Sequence, residues 1–259
     1  MQQVKPYFTD STGTITIYHG DAREIAPTLA FDVVVTDSPY GVSERTDRAS
    51  KGRSHAAASN DFPPVFGDDE PFDPTPWLQR PCILWGGNHF ADKLPPSPSW
   101  LVWDKREGGT SDDNADCEMA WTNLGGPARL FAHRWRGMIK ASEQGQHRLH
   151  PTQKPVALMR WCLMHANLPD GVILDPYLGS GPTLRAAKDL GRRAIGIEIE
   201  ERYAEIAARR LQQEVLPFGH EEQGARVQVS VLEEVPRQGE AVRGEAVRDL
   251  FTSIPKDVR

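Results

Sequence analysis

The sequence has few cysteines, no long apolar run and no excess of positive charge. Three cysteines among 259 residues stand far apart, so neither a disulfide framework nor a thiolate zinc site is predicted. We expect buried free thiols at Cys82, Cys117 and Cys162. The longest apolar runs have the length of a strand, far short of the roughly 20 residues that span a bilayer.

The first ten residues also lack the basic patch and apolar stretch of a secretory signal. We therefore expect a cytoplasmic protein without a membrane segment. The net charge of −6 argues against a generally basic surface. The positive charge is concentrated, however, because residues 129–154 carry six basic side chains against the single acid Glu143.

The apolar pattern predicts an α/β fold with a mostly parallel sheet and helices on both faces. β-branched and apolar runs predict strands at 14–18, 31–36, 82–85 and 100–103. A helical pattern begins at Pro155, which fits a first helical position. Strand, helix, strand and helix then follow at 172–174, 183–190, 194–199 and 202–215, and this order implies parallel strands joined by a right-handed crossover.

A glycine-rich loop, Asp175-Pro-Tyr-Leu-Gly-Ser-Gly181, separates one of these strands from its helix. Glycine at this position lets backbone amides approach a nucleotide-like ligand. Glu198 follows about 20 residues later, at the end of the next strand, where an acid accepts hydrogen bonds from ribose hydroxyls. The third glycine of a dinucleotide site is missing, and Asp175 suits a positively charged sulfonium cofactor better than a diphosphate.

The element Asp37-Ser-Pro-Tyr40 follows an apolar strand and is expected at the carboxyl edge of the sheet, where open α/β folds bind ligands. Exocyclic amines of bases are poor nucleophiles because their lone pair is conjugated into the ring. The Asp37 carboxylate and a backbone carbonyl could accept hydrogen bonds from the two N–H groups of the amine. Tyr40 offers a face on which a flipped base could stack. Taken alone, the same four residues also suit an ordinary turn with a packed tyrosine.

Together these elements resemble the DNA amino-methyltransferase family of adenine-N6 and cytosine-N4 enzymes, which have a Rossmann-like S-adenosylmethionine-dependent fold. The resemblance spans roughly residues 14–215 and rests on four segments: Asp37-Ser-Pro-Tyr40, His150-Pro-Thr-Gln-Lys-Pro155, Asp175-Pro-Tyr-Leu-Gly-Ser-Gly-Pro-Thr183 and Gly196-Ile-Glu-Ile199. The catalytic element precedes the cofactor loop, as in the permuted β group. Ser38, Tyr177 and Pro182 stand where the family usually has Pro, Phe and Thr.

The resemblance implies S-adenosylmethionine as cofactor and double-stranded DNA as partner. It implies catalytic or base-binding roles for Asp37, Ser38, Pro39 and Tyr40. At the cofactor, it implies Asp21 near the adenine, Glu198 at the ribose, and Thr152 and Lys154 at the methionine end. Asp37 is implied as a further contact. The loop residues implied at the cofactor are Asp175, Tyr177, Gly179, Ser180, Gly181 and Thr183.

The length and composition predict one catalytic domain, over residues 1–217, and the resemblance implies a small target-recognition insertion in it at about 108–149. Residues 218–259, which contain a short direct repeat, are expected to form a weakly ordered or peripheral tail. Basic residues of the insertion and of the loop after Tyr40 are expected to contact DNA phosphates. They are Arg45, Arg48, Lys51, Arg53, Arg129, Arg134, Arg136, Lys140 and Arg148.

Several alternatives remain open at the level of sequence. The aspartate-first element favours adenine N6, with cytosine N4 as the alternative. Two other functions are also open: a dinucleotide-dependent oxidoreductase, and a non-catalytic DNA-binding protein of the same fold. His147 and His150 lack a third ligand, so no metal site is predicted. The sequence leaves open whether the chain forms a homodimer or works beside a cognate restriction nuclease.

Overall fold

The computed structural model describes residues 4–42, 65–109, 115–136, 139–145 and 149–213, without the side chains of residues 136 and 139. Within these ranges the strands are β1 (Phe8–Thr9), β2 (Ile15–His19), β3 (Val33–Asp37), β4 (Cys82–Trp85), β5 (Trp100–Asp104), β6 (Cys117–Thr122), β7 (Arg129–Ala132), β8 (Trp135–Arg136), β9 (Ile139–Lys140), β10 (Ile173–Asp175) and β11 (Ala194–Glu198). The helices are α1 (Ala22–Ile25), α2 (Val156–Ala166), α3 (Pro182–Asp189) and α4 (Glu201–Gln212).

Nine of these strands form one sheet in the order β1-β2-β11-β10-β3-β4-β6-β5-β7. The run from β2 to β4 is parallel throughout. β6 is antiparallel to both β4 and β5, while β7 is parallel to β5, so the carboxyl ends of β5 and β7 lie at the same edge as those of the parallel strands. β8 and β9 form a separate antiparallel pair. The predicted mostly parallel α/β sheet is confirmed.

The two faces of the sheet are covered differently. One core cluster packs α2, α3 and α4 against side chains such as Val33, Val35 and Trp85. The opposite cluster packs α1 and residues of short 3-10 turns, among them Trp77, against Val34 and Leu84. Because side chains alternate along a strand, Asp37 lies on the same face as Val33 and Val35, the face covered by the three long helices.

The predicted strands and helices agree with the structure to within about two residues at each end, except the helix predicted over 202–215, which ends at Gln212. The interpretation of Pro155 as a first helical residue is wrong by one position. Its backbone is extended (φ −65°, ψ 141°), so it is the N-cap and Val156 begins the helix. Pro182 does stand in the first turn of α3, as expected.

Five strands, β1 and β6 to β9, were not predicted from the sequence. β6 and β7 belong to the main sheet although they lie within the segment 108–149, so this segment is more than an insertion on its surface. The prediction for the cysteines is also partly wrong. Cys82 and Cys162 are buried free thiols, but Cys117 is exposed because it begins β6 at the rim of the sheet.

Two of the sequence predictions lie outside the described residues, namely the basic loop after Tyr40 and the tail at 218–259. Within the described part of the chain, no helix has the length and apolarity needed to cross a membrane.

Candidate active site

Two neighbouring parallel strands end in aspartates. β3 ends at Asp37 and β10 at Asp175, and both side chains line the same cleft at the carboxyl edge of the sheet. The hydroxyl of Thr36 donates to Asp175 Oδ1 over 2.7 Å, which ties the two strand ends together. The sequence prediction that Asp37 emerges at this edge is confirmed.

The ammonium group of Lys154 lies at the centre of a buried cluster. Three oxygens surround its Nζ atom: Asp37 Oδ1 at 2.7 Å, Glu118 Oε2 at 2.9 Å and the Tyr40 hydroxyl at 3.0 Å. The contacts with Asp37 and Tyr40 are hydrogen bonds, and the contact with Glu118 is an ion pair. Lys154 therefore lies beside Asp37 and Tyr40 and lines the cleft.

The two carboxylate oxygens of Asp37 have different surroundings. Oδ1 accepts hydrogen bonds from Lys154 and, over 2.5 Å, from the Tyr40 hydroxyl. Among the described residues no donor contacts Oδ2. The protein thus fixes the orientation of the carboxylate through one oxygen and leaves the other as an acceptor at the wall of the cleft.

Burial and charge act in opposite directions on this cluster. Burial raises the pKa of Asp37, and Lys154 lowers it only in part. Although burial alone would lower the pKa of Lys154, the carboxylates of Asp37 and Glu118 hold it well above its usual value. Lys154 is therefore a permanent cation, only 5% exposed, and it keeps a partly buried carboxylate available as an acceptor.

The ring of Tyr40 is stacked on His89, with the centroids 4.9 Å apart and an interplanar angle of 12°. The ring also lies directly over Gly86, which follows β4 with φ +78°. A Cβ atom at Gly86 would come within 2.1 Å of the Tyr40 ring, so both the backbone angle and the space require glycine there. His89 therefore occupies one face of the Tyr40 ring.

The turn that carries Tyr40 is held by a second carboxylate. Asp68 Oδ1 accepts from the backbone amides of Tyr40 (2.9 Å), Gly41 (3.0 Å) and Val42 (3.4 Å). Asp68 is buried, and its acceptor satisfies amides that the turn leaves without backbone partners. Ser38 is also buried, and its hydroxyl has no partner among the described residues.

The glycine-rich loop lies beside this cluster. Glu198, at the end of β11, accepts from the amide of Gly179 (2.7 Å) through Oε2 and from that of Glu200 (2.9 Å) through Oε1. Gly181, at φ +79°, is the N-cap of α3. Glu198 is therefore oriented by the loop itself, and because each carboxylate oxygen accepts more than one hydrogen bond, it can still bind hydroxyl groups.

Most of the residues predicted at the cofactor line one cleft. Those that do are Asp37, Thr152, Lys154, Asp175, Tyr177, Gly179, Ser180 and Thr183. Gly181 and Glu198 lie directly next to them through the loop contacts. Asp21 lies apart from this set: it caps α1 and pairs with Arg23, yet its charge is close enough to contribute to the raised pKa of Tyr177, after the larger effect of burial.

Two features of the cleft suit a cationic, polar ligand. Asp175 is 2% exposed, and burial raises its pKa to about 6 in spite of the donors Thr36 and Tyr177 N–H. A positive ligand would favour its ionised form. The buried hydroxyl of Ser180 has no partner among the described residues, so a ligand with polar groups could satisfy it.

His150 forms part of the cleft wall in its neutral form. Its Nδ1 atom lies 3.3 Å from the amide of Thr152 and 3.2 Å from its hydroxyl, and its ring meets the ring of Tyr203 edge-on. Burial lowers its pKa to about 4, and Lys154 adds to this shift. Within the described ranges no group of three potential metal ligands is found.

The structure brings only some of the predicted DNA-contacting residues close together. Arg134 is exposed and lies just beyond the carboxyl end of β7. The ammonium group of Lys140 lies over the Trp135 ring, 4.6 Å from its centroid. Arg129 begins β7 and therefore lies at the opposite edge of the sheet, about 10 Å away along the strand. Arg45, Arg48, Lys51, Arg53, Arg148 and the side chain of Arg136 lie outside the described part of the chain.

Three residues at the site were missed from the sequence: Glu118, Asp68 and His89. Each reaches the site through a contact between segments distant in the chain. The one available signal was the position of Glu118 next to a short apolar run, and it was not enough to identify a strand.

Comparison with known proteins finds similarity to DNA methyltransferases. Residues 98–209 match the N6/N4 methyltransferase family model, described as DNA methylase. Over 81% of this chain and 84% of the relative, the sequence is 26% identical to the Type II methyltransferase M.ScaI of Streptomyces caespitosus. A segment of 77 residues, 30% of this chain and 21% of the relative, is 42% identical to the Type II methyltransferase M.HinfI of Haemophilus influenzae.

Among solved structures, the fold is similar to that of the PvuII DNA methyltransferase, which is cytosine-N4-specific. The two structures align with a TM-score of 0.52 and 13% sequence identity over 82% of this chain and 90% of that one. The matched segment and these relatives make this chain similar to the DNA amino-methyltransferase family, and its fold is similar to that of the PvuII enzyme.

Proposed function

We propose that this protein transfers a methyl group from S-adenosylmethionine to the exocyclic amino group of a DNA base, with adenine N6 favoured over cytosine N4. The observation that carries the proposal is the state of Asp37. Its Oδ1 is held by Lys154 and Tyr40, while Oδ2 lies at the cleft wall without a donor among the described residues.

The free oxygen of Asp37 explains how a weak nucleophile would be activated. When an exocyclic amine donates a hydrogen bond to Oδ2, its nitrogen is drawn towards a pyramidal geometry, and its lone pair leaves the conjugation with the ring. A backbone carbonyl of the turn 37–40 would accept a hydrogen bond from the second N–H group. Because Lys154 and Tyr40 hold the carboxylate in advance, little reorganisation is needed when the base arrives.

S-adenosylmethionine, when bound, supplies an electrophilic methyl group on a positively charged sulfur. The residues present suit it. Asp175 offers a carboxylate to the positive end, Glu198 can accept from ribose hydroxyls, and Ser180 has a hydroxyl that lacks a partner within the described ranges. Asp21 and Tyr177 would lie towards the adenine.

DNA would approach the carboxyl edge of the sheet. Arg134 lies at this edge, with Lys140 close by in β9, and both could neutralise backbone phosphates. The face of the Tyr40 ring opposite His89 would stack on a base extruded from the duplex, which offsets part of the cost of flipping. The catalytic element precedes the cofactor loop, and this order supports an assignment to the permuted β group.

The choice between adenine and cytosine rests on Asp37 as the first residue of the catalytic element. Cytosine N4 is the alternative because the same acceptors fit either amine. The relatives are named Type II methyltransferases, which supports a place beside a restriction nuclease.

The test is analysis of the product. The full chain is incubated with methyl-labelled S-adenosylmethionine and duplex DNA of mixed sequence, and the DNA is digested to nucleosides for mass spectrometry. We expect labelled N6-methyldeoxyadenosine. Labelled N4-methyldeoxycytidine would assign the alternative base, and no labelled nucleoside would refute the proposal.

Calorimetry separates the remaining alternatives. Binding of S-adenosylmethionine but not of NAD is expected, whereas the reverse would favour an oxidoreductase. Cofactor binding without methyl transfer to any DNA would indicate a non-catalytic DNA-binding protein.

A further inference from the structure

Glu118 stands next to the catalytic cluster without belonging to any of the sequence elements that define it. It lies on β6, and Asp37 ends β3, with β4 between the two strands. Glu118 shares a face with the buried Ala120, which packs in the same core cluster as Val35, so Glu118 and Asp37 point to the same side of the sheet. Two strand spacings, about 10 Å, separate β3 from β6, and Glu118 lies two residues along β6 from Ala120, the residue level with Asp37. Lys154 bridges the two carboxylates.

Each oxygen of Glu118 lies next to a lysine, Oε1 in a hydrogen bond and Oε2 in an ion pair. Oε1 accepts from Lys105 over 2.9 Å, and Oε2 lies 2.9 Å from Lys154. Although burial alone would raise the pKa of Glu118, Lys154 and Lys105 lower it to about 2, which favours the anion at neutral pH. Its position is therefore fixed from two sides, and it fixes Lys154 in turn.

This arrangement has a consequence for the free oxygen of Asp37. A lysine paired with Asp37 alone could swing between Oδ1 and Oδ2, and it would then compete with the amine for the acceptor. Glu118 draws the ammonium away, to the side of Oδ1. We propose that Glu118 is a positioning residue, which holds Lys154 on Asp37 Oδ1 and so keeps Oδ2 open for the target amine.

The inference rests on the proposed function and is tested on the full chain with Glu118→Gln. Glutamine has nearly the same shape but no charge. We expect kcat for methyl transfer to fall by between about ten- and a hundredfold, because the reacting groups lose their alignment. Cofactor affinity should stay within about twofold, since Glu118 does not line the cofactor cleft.

The pH profile distinguishes this role from a merely structural one. The negative charge of Glu118 raises the pKa of Asp37, so its removal should move the acid limb of kcat to lower pH. The other groups facing this carboxylate and its lysine are Tyr40, Asp175 and His150, with His89 stacked behind Tyr40. They are common to both proteins and do not produce a difference between them.

Three further variants complete the experiment. Glu118→Asp keeps the charge and should restore the position of the acid limb in part. Lys105→Met removes the outer partner only and should have a smaller effect than Glu118→Gln. Asp116→Asn is the matched control, because this neighbouring carboxylate pairs with Arg106 and not with Lys154, and it should leave the profile unchanged.

The inference is overturned if Glu118→Gln lowers only thermal stability and retains the kcat and the acid limb of the unmodified protein. Absence of methyl transfer by the unmodified protein would instead refute the proposed function. In that case the pKa of the Asp37 carboxyl, measured by carbon NMR without substrate, still tests the inference. This pKa should be lower in Glu118→Gln than in the unmodified protein, and equal values in the two proteins would contradict the inference.

Discussion

Asp175 would couple the protonation of the cleft to the binding of a cationic ligand. In the free protein burial raises its pKa to about 6, above the value of 3.8 for an unperturbed carboxyl. The native state therefore keeps a proton that the unfolded chain has already lost, and this group makes the free protein less stable as the pH rises from about 4 to 6. A cationic ligand reverses the preference, because it stabilises the carboxylate.

We therefore predict that the affinity for S-adenosylmethionine rises with pH through about 6 and levels off above it, with release of a proton on binding near pH 6. Calorimetry from pH 5 to 8, in two buffers of different ionisation enthalpy, measures both effects. Asp175→Asn should flatten the dependence and weaken binding at pH 8 by about tenfold, the loss of one charge-assisted contact.

The matched control for this measurement is Asp189→Asn. Asp189 ends α3, pairs with Arg185 and does not line the cleft, so its removal should leave the pH dependence of binding intact. An affinity of the unmodified protein that does not change between pH 5 and 8 would contradict the assignment of Asp175.

Single residues could be predicted from the sequence where a strand end or a glycine loop marks them. Asp37, Asp175 and Glu198 are of this kind, because their places follow from the strands that carry them. Glu118 and Asp68 could not be predicted in this way. Each acts through a partner far along the chain, and no spacing in the sequence expresses such a contact.

At the scale of elements, the turn after β4 determines where the Tyr40 ring lies. Gly86 combines a left-handed backbone with the closest approach to that ring. Its replacement has two separable effects, namely strain of the backbone and displacement of Tyr40.

Gly86→Ala is predicted to lower the single-turnover rate of methyl transfer by about tenfold or more, because a displaced Tyr40 no longer holds Asp37. Gly125→Ala is the matched control. Gly125 has the same φ of +78° but nothing within 4 Å of a built Cβ, so it should lose about 1–2 kcal/mol of stability and retain the rate. Equal rates for the two variants would show that the Tyr40 contact has no part in the reaction.

The elements themselves were predictable to different degrees. β3 and β4 have continuous apolar runs, and β2 alternates with β-branched residues, so their positions follow from the sequence. β6 contains Cys117-Glu-Met-Ala-Trp-Thr122, which has neither a regular alternation nor an enrichment in β-branched residues. Its place is determined by pairing with β4 and β5, which is a property of the sheet and not of the segment.

At the scale of the whole molecule, the basic run between residues 129 and 154 divides in space. Lys154 is buried beside Asp37, Arg129 lies at the far edge of the sheet, and Arg134 lies at the carboxyl edge of the parallel strands with Lys140 close by in β9. The single acid of the run, Glu143, pairs with Arg210 of α4. The excess of charge was visible in the sequence, but its distribution over two edges and the interior depends on the fold.

DNA binding should reflect this division. Arg134→Ala and Lys140→Ala are each predicted to reduce the slope of log K against log salt by about 0.9, the value for one phosphate contact. Arg129 begins β7 and lies at the opposite edge of the sheet, so Arg129→Ala should leave the slope unchanged. Fluorescence anisotropy of a labelled duplex between 50 and 200 mM salt measures this. An equal reduction in all three variants would place the DNA elsewhere.

The central claim is that Asp37 accepts a hydrogen bond from the amine that receives the methyl group. The most direct measurement is the single-turnover rate of methyl transfer with saturating cofactor and DNA, for the unmodified protein and for Asp37→Ala, with folding of both verified by circular dichroism. The predicted result is a fall of roughly 100-fold or more, as expected when one preorganised group at the reacting atoms is removed. A rate for Asp37→Ala equal to that of the unmodified protein would contradict the claim.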